Sequence, residues 1–584
     1  MIPYVVTLAV VVLVVAVYDL TQKKHAILRN FPVIGHFRYL LEEVGPELRQ
    51  YIVTGNDEER PFSRDQRRWV YTSAKKENNY FGFGTDNDLE QSSGYVVIKH
   101  SPFPLLDPHV GDAGYDPAYR IPAAKVMGGS NKRKKAFRPA SIVNVSGMSY
   151  GSLSAAAVEA INRGVKLAGC WQSTGEGGIS PHHKHGGDLV WQLGTGYFGC
   201  RDEKGAFSLE RFVENATKNP VRAVEIKLSQ GAKPGAGGIL PAAKITQEIV
   251  QIRGVAMGRD CVSPAAHTAF RDADEMLDFV ERISEASGGL PVGIKSAVGQ
   301  MKFWDDLARL MDTTHRGVDF ITIDGGEGGT GAGPLVFTDH VAQPFKIGFS
   351  KVYRAFAERG MHHKILFNGS GKLGFPEQVL FAFALGCDTV SVAREAMLAL
   401  GCIQAQRCHT GSCPTGVATA CTMRGLDPEL KSARLANYIL ALWKGGARLA
   451  APAASRTCSW ASTSTSSTIA SRPSITSVFN YQGDWGTLED PRRDPRADER
   501  SRRRARPRAP RRAAGILASE VPNSSTDGCA STRRRTTTAY CPACTWWRAS
   551  TGGRSRTSRG SRSASTRPGR LQAATAWSPR LRIR

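Results

Sequence analysis

At 584 residues the chain is long enough to bury several cores, and a formal net charge of +25 would by itself point to nucleic acid or an anionic membrane. The distribution of that charge excludes this for the chain as a whole. Pro491 to Arg584 hold 24 Arg, no Lys and 5 acidic residues, a net of +19, which leaves +6 for everything before them.

The amino end reads "IPYVVTLAVVVLVVAVY", 17 residues without a charge, about the minimum for a spanning helix. No basic region precedes it and no small-x-small site follows, which argues against a cleaved signal peptide. Lys23, Lys24 and Arg29 come directly after, so the positive-inside rule puts the rest of the chain in the cytoplasm. The expectation is a single-pass anchor over 1–20 in an inner or plasma membrane, with a cytoplasmic catalytic domain. A buried strand or helix is the alternative. An α/β pre-barrel region follows over 21–135.

From 136 to 440 one theme recurs: a short β-branched run, a glycine-rich or polar loop, then a helical stretch. The runs are "SIVNVSGMSYG" (141–151), "CWQSTGEGG" (170–178), "AVEIKLSQGA" (223–232), "DCVSPAAH" (260–267), "PVGIKSAVG" (291–299), "DFITIDGGEGG" (319–329), "KILFNGSG" (364–371) and "DTVSVAREA" (388–396). The fourth is the weakest. Eight such units predict an α/β chain folded as a (β/α)8 TIM barrel. A doubly wound sheet is the alternative, but its phosphate loop belongs after the first strand, and here the glycine loops gather late. In a barrel the chemistry sits where strand carboxyl ends meet loops. That selects Ser146, Ser149, Thr174, Glu176, Lys227, Gln230, Lys295, Asp324 and Glu327.

Runs seven and eight carry "FNGSGKLG" and "GCDTVSVAREAM". Glycine admits backbone N–H groups close to a phosphate, and a helix start adds partial positive charge. Gly369, Gly371, Ala393 and Arg394 are therefore candidates for the phosphate of a flavin mononucleotide; tight strand-to-helix turns are the plainer reading. "GEGGTG" (326–331) fits a dinucleotide fingerprint, but it falls in the sixth unit and no helix start follows, so that identity is rejected. Lys227 and Lys295 end strand runs. A lysine there is costly to desolvate unless it meets an anion, either a ligand or a salt-bridge partner.

"GCIQAQRCHTGSCPTG" places Cys402, Cys408 and Cys413 in a C-x5-C-x4-C arrangement. The other thiols up to residue 400 are scattered singly, as packing residues in a cytoplasmic protein would be. The last stretch, 441–584, is low in complexity and has no lysine in the 140 residues after Lys444. A disordered basic arm and translation in the wrong frame both fit. The abrupt end of the helical pattern "PELKSARLANYILALW" favours the second. No nucleic-acid partner is expected, because the tail lacks interleaved aromatics or an RNA-binding motif.

The segments "SGMSYGSLS", "STGEGG", "IKLSQGAKPGAGGILP", "IDGGEGGTGAGP", "NGSGKLG" and "GCIQAQRCHTGSCPTGVAT" together resemble the FMN-binding central domain of the glutamate synthase family. The resemblance implies a barrel that binds FMN and a 3Fe–4S cluster held by Cys402, Cys408 and Cys413. Three ligands also suit a cube lacking one iron better than a structural zinc site or a complete cube, each of which wants four. It implies reduction by the flavin of the imine formed from 2-oxoglutarate and ammonia, giving L-glutamate. Glu176, Lys227, Gln230 and Lys233 are then the catalytic candidates. Ser146, Ser149, Thr174, Gln192, Lys295, Gly325, Gly326, Gly328, Gly329, Gly369, Gly371, Ala393 and Arg394 are the cofactor-binding ones.

The resemblance also places a glutaminase domain where the apolar span stands. Free or partner-delivered ammonia and a separate electron-donor protein are therefore expected. Trp191 and Tyr197 stand where the family carries basic residues, so a different small carbonyl or imine substrate, or quinone, is the alternative.

Overall fold

The computed structural model describes residues 2–89, 96–98, 100, 102, 121–419, 426–450 and 479–481. Eight parallel strands close into a barrel: β1 Val143–Val145, β2 Trp171–Ser173, β3 Asp188–Leu193, β4 Val221–Lys227, β5 Val292–Ser296, β6 Phe320–Asp324, β7 Leu366–Ser370 and β8 Thr389–Val392. Each pairs with its sequence neighbour, and β8 returns to β1 through Val390 opposite Val143. The fold is the expected TIM barrel.

One strand was misplaced by the pattern of the sequence. The run at 260–267 supplies no barrel strand: Cys261–Val262 pairs antiparallel with Ile239–Leu240 in a small ribbon outside the barrel. The missing strand is β3, "DLVWQL", which the alternation of runs and helices passes over. Only a short turn, Pro181–His183, separates it from β2 where a helix would normally stand. Its large residue, Trp191, is fully buried against Phe212, with ring centroids 5.3 Å apart and nearly parallel.

Opposite the mouth, the amino ends of the strands are plugged by a second apolar cluster in which Met127 packs with Trp171, Val190, Ala223, Phe320 and Leu366. Arg133 bridges Asp319, at 3.0 Å, and Glu281 there. That end is closed, so the site lies at the other.

Ahead of the barrel, α1 (Ile2–Thr21) is 20 residues long, almost wholly exposed, and apolar enough to cross a membrane. Two more helices, α2 (Ala26–Asn30) and α3 (Gly35–Leu48), follow. A fourth, α4 (Arg64–Lys75), begins with a capping box in which Ser63 accepts from Gln66 N and Gln66 reaches back to Ser63 N. The regular structure in the described part of 21–135 is helical, apart from one strand, Val96–Ile98, paired antiparallel to Phe479–Tyr481.

The last described helix, α5 (Pro428–Ala450), buries Leu435, Tyr438, Ile439 and Leu442 completely and lies across Ala155–Ala168. Gly164 makes that crossing possible: a Cβ there would stand 2.9 Å from Leu435. The helix runs past Lys444, and Gly445 packs on Pro376. Its pattern therefore does not stop where the sequence reading placed the break. The rest of the tail, with the expectation of disorder or a shifted frame, falls outside the described residues save for 479–481.

Candidate functional site

The register of the barrel brings the strand-end residues together. Lys227 of β4 is paired with Lys295 of β5, and Asp324 of β6 with Ser370 of β7. Neighbouring residues in parallel strands point to one face, so these groups share the mouth. Lys295 Nζ donates to Ser146 Oγ at 3.1 Å and stands 3.7 Å from Asp324. Asp324 also accepts from Gly231 N at 2.8 Å, tying the loop after β4 to β6. Ser146 and Ser370 lie 3.4 Å apart.

Beneath them the interior is polar and largely hydrogen-bonded, although Ser173 Oγ beside Gln192 has no partner among the described residues. Thr322 donates to Glu225 at 2.7 Å, Asn368 donates to Thr322 and Ser391, and Gln192 donates to the same Glu225. Gln192 thus sits in the barrel floor, close below Gly147.

A second group forms on the loops. Lys227 Nζ lies 3.0 Å from Glu176 and donates to Gln230 Oε1 at 2.8 Å; Gln230 donates to Thr330 Oγ1 at 3.0 Å, and Lys233 to Ala332 O at 2.7 Å. Thr174 supports this loop from below, accepting from Gln192 N. Burial by itself would raise the Glu176 carboxyl. Lys227, then Lys233 and Arg253, outweigh it and hold the carboxyl below the usual range. Burial pulls Lys233 down to about 8 against the pull of Glu176.

Several groups in this mouth escaped the sequence reading. Arg253 is buried, donates to Tyr150 O at 2.8 Å and to Ser149 Oγ at 3.5 Å, and lies over the Phe198 ring. His267 contacts Tyr197 Oη at 2.9 Å and Lys227 O at 3.0 Å, and burial draws it to about 4. Both come from the long excursion between β4 and β5. Tyr197 meets His267, whereas Trp191 lies outside the mouth. Tyr197 Oη accepts from Thr268 N and Ala269 N, and Trp191 lies against Phe212 in the outer layer.

The loops after β7 and β8 make a cationic recess. Arg394 donates to Glu327 O and packs over Gly329, where a Cβ would stand 2.5 Å from Arg394 Cδ. Lys372 is half-exposed at most, and burial followed by repulsion from Arg394 lowers its pKa; burial lowers that of Arg394 as well. Two part-buried cations, of which Arg394 disfavours the charge on Lys372, are what an anion would relieve. Gly371 (φ +133°) turns the β7 loop back onto Gly325, whose N–H donates to Ser370 O. Gly326 and Gly328 shape the same β6 loop, donating to Gln343 O and Gly325 O. Gly369 serves packing: its missing side chain makes room for Phe345 and Cys387. Glu327 accepts from Phe345 N at 2.7 Å, and burial raises its carboxyl.

The three thiols lie on one loop clamped by the pre-barrel arm. Tyr71 Oη donates to Cys402 O at 2.7 Å, Phe62 N to Gln404 Oε1 at 3.2 Å, and Gln50 Nε2 to Ile403 O at 2.7 Å. Phe62 lies beneath both Arg394 and Lys372, at 5.1 and 5.4 Å, so one ring joins this loop to the cationic recess. Burial raises Cys402 to about 11, with Cys408 and Cys413 adding to the rise. Cys413 goes the other way: the Thr415 hydroxyl and the N–H groups of Ala418, Thr415 and Val417 outweigh its burial and favour the thiolate. Buried Lys244 donates to Cys408 O at 3.1 Å and Ser152 O at 2.7 Å.

The thiols feel one another's charge. Yet among the described residues no three His, Cys, Asp or Glu converge on a point that would hold one metal ion.

The comparisons agree on one family. Residues 121–456 match the family profile described as the conserved region in glutamate synthase. The glutamate synthase large subunit-like protein YerD of Bacillus subtilis (strain 168) is 38% identical over 464 residues, covering 74% of this chain and 88% of that protein. The archaeal glutamate synthase [NADPH] of Methanocaldococcus jannaschii is 35% identical over 309 residues, 51% of this chain and 56% of that one. The archaeal-type glutamate synthase [NADPH] of Thermotoga maritima is 35% identical over 300 residues, 50% and 55%. The alignments therefore span most of YerD and just over half of the two NADPH enzymes.

Proposed function

The chain belongs to the glutamate synthase family, and on that premise we propose that it is an FMN- and iron–sulfur-dependent enzyme making L-glutamate from 2-oxoglutarate and ammonia. It is a glutamate synthase-like oxidoreductase; the substrates, cofactors and anchoring are the proposal. Bound in the mouth, FMN would supply a hydride to the imine of 2-oxoglutarate, and a 3Fe–4S cluster on Cys402, Cys408 and Cys413 would supply the electrons.

The observation that carries this reading is the meeting of two cationic features in one barrel mouth: Lys295 with Ser146 and Asp324, and Lys372 with Arg394. The second suits the flavin phosphate, at the loop ends that carry Gly371, Ala393 and Gly329. Lys295 and Ser146 suit the polar edge of the ring, where an ammonium favours negative charge. Ser149, Thr174 and Gln192 shape the wall below, and Gly325, Gly326 and Gly328 set the β6 loop beside the ring.

Lys227, Gln230 and Lys233 would hold the dicarboxylate. Glu176, kept ionised by these cations, would orient Lys227 and accept a hydrogen bond from the substrate nitrogen. Because Lys233 and Arg253 exceed what Glu176 alone neutralises, the mouth has cations for 2-oxoglutarate.

Electrons would come from a separate donor protein, and α1 would anchor the catalytic domain on the cytoplasmic side of a membrane. Chemically reduced protein given 2-oxoglutarate and ammonium tests the reading. Glutamate formed in step with flavin reoxidation supports it; reoxidation by other acceptors without glutamate refutes it.

A further inference from the structure

The arm between α1 and the barrel carries an apolar stripe that none of the described residues covers. Along α3, Phe37, Leu40, Leu41, Val44 and Leu48 recur at helical spacing, and Ile34 precedes them in line. All are exposed, from 74% at Ile34 and 69% at Phe37 to 38% at Leu48. These positions fall within about 120° of the helix circumference, and Arg38, Glu42 and Glu43 lie outside it. Exposed apolar faces of this extent mark contact with a partner or a membrane.

The local geometry selects the membrane. Asp19, in the last turn of α1, is fully buried; it accepts from Val33 N at 2.8 Å and meets His36 Nε2 at 3.0 Å. That carboxylate fixes the elbow between the apolar helix and α3, so the stripe is held next to a helix that is itself lipid-compatible. Lys23, Lys24 and Arg29 lie in the elbow, as the flank of an interfacial helix requires.

At its far end the arm is fastened to the thiol loop: Glu47 pairs with Arg407 at 3.3 Å, and Gln50 and Tyr51 both donate to Ile403 O. We propose that α3 lies in the interfacial layer of the membrane that α1 enters, and so holds the Cys402–Cys413 loop at the lipid surface, where a membrane-associated electron donor meets it. The proposal rests on the reading of α1 as a span.

The test uses the full chain in vesicles of phosphatidylethanolamine and phosphatidylglycerol, with a photoreactive diazirine amino acid at one position at a time. The positions are Phe37 and Leu41 on the stripe, Glu42 and Glu43 off it, and Val11 in α1. Lipid adducts at 11, 37 and 41, with a several-fold lower yield at 42 and 43, are the expected result. Adducts at 11 without any at 37 and 41, or crosslinks from 37 and 41 to a second copy of the chain, overturn the proposal and leave the span intact. Absence at all three positions overturns both.

Discussion

Lys227 and Lys295 are register partners on neighbouring parallel strands, so two ammonium groups enter the barrel mouth side by side. Each is answered by a separate carboxylate, Glu176 at 3.0 Å and Asp324 at 3.7 Å. The longer separation leaves Lys295 the freer of the two to serve a ligand, with Ser146 as its fixed neighbour.

Replacing Lys295 by Gln keeps a hydrogen-bonding side chain and removes the charge. A charge-assisted hydrogen bond contributes about 1.5–3 kcal/mol, so FMN affinity should fall roughly 10- to 100-fold. Flavin fluorescence titration of the apoprotein reads this directly, with an unchanged circular dichroism spectrum as the control for folding. Unaltered affinity would remove Lys295 from the flavin site.

Lys233 gives the pH dependence. Burial lowers its pKa to about 8, beneath the ordinary lysine value of about 10.4. The ammonium is therefore present below about 8 and lost as pH rises through it. At saturating ammonium, the KM for 2-oxoglutarate should be flat below that pH and climb above it, approaching about tenfold per pH unit. Lys233→Arg should abolish the climb, because a guanidinium stays charged.

Lys244 is a buried cation beside the thiol loop. A cluster held by three thiolates gains negative charge on reduction, and a nearby cation favours the reduced form. Lys244→Gln should lower the midpoint potential, on the order of 100 mV for a charge a few ångströms away at an effective dielectric of 20. Spectroelectrochemistry measures the shift, and an unchanged potential would assign Lys244 to packing alone.

Gly231 tests the coupling of β4 to β6. A Cβ there would fall 1.8 Å from Gly325 O, and backbone cannot yield as a flexible side chain does. Gly231→Ala should destabilise the protein by about 3 kcal/mol or more and weaken flavin retention, read by thermal unfolding and FMN content. Gly235→Ala, where a Cβ meets nothing, strains only the backbone at φ +77° and should cost less.

The barrel was legible because buried parallel strands write continuous apolar runs, and the strand-end lysines were legible because a charge at the end of such a run is anomalous. β3 was not. With a turn in place of the preceding helix, the alternation that identified the other strands breaks there. Arg253, Lys244 and His267 were missed for a related reason. They arrive between β4 and β5, Arg253 at the end of the short helix Gln247–Arg253, Lys244 at the end of the single turn Ala242–Lys244 and His267 in a loop; these pieces are too short to show a period, and only closure of the barrel brings them to the mouth. Lys244 does stand three residues after the family-like segment "GAGGILP", the one signal that pointed its way. The thiol triplet was plain from its spacing, whereas its clamp by Tyr71, Gln50 and Phe62 depends on contacts hundreds of residues apart.

The central claim is that one barrel mouth holds a flavin beside a cluster on three thiolates. Quantifying FMN, iron and acid-labile sulfide in the purified full-length protein and in Cys413→Ser tests it most directly. The account predicts FMN with about three irons per chain, and loss of iron but retention of flavin in the variant. A folded, colourless protein without iron, or a variant that keeps its full iron content, would contradict it.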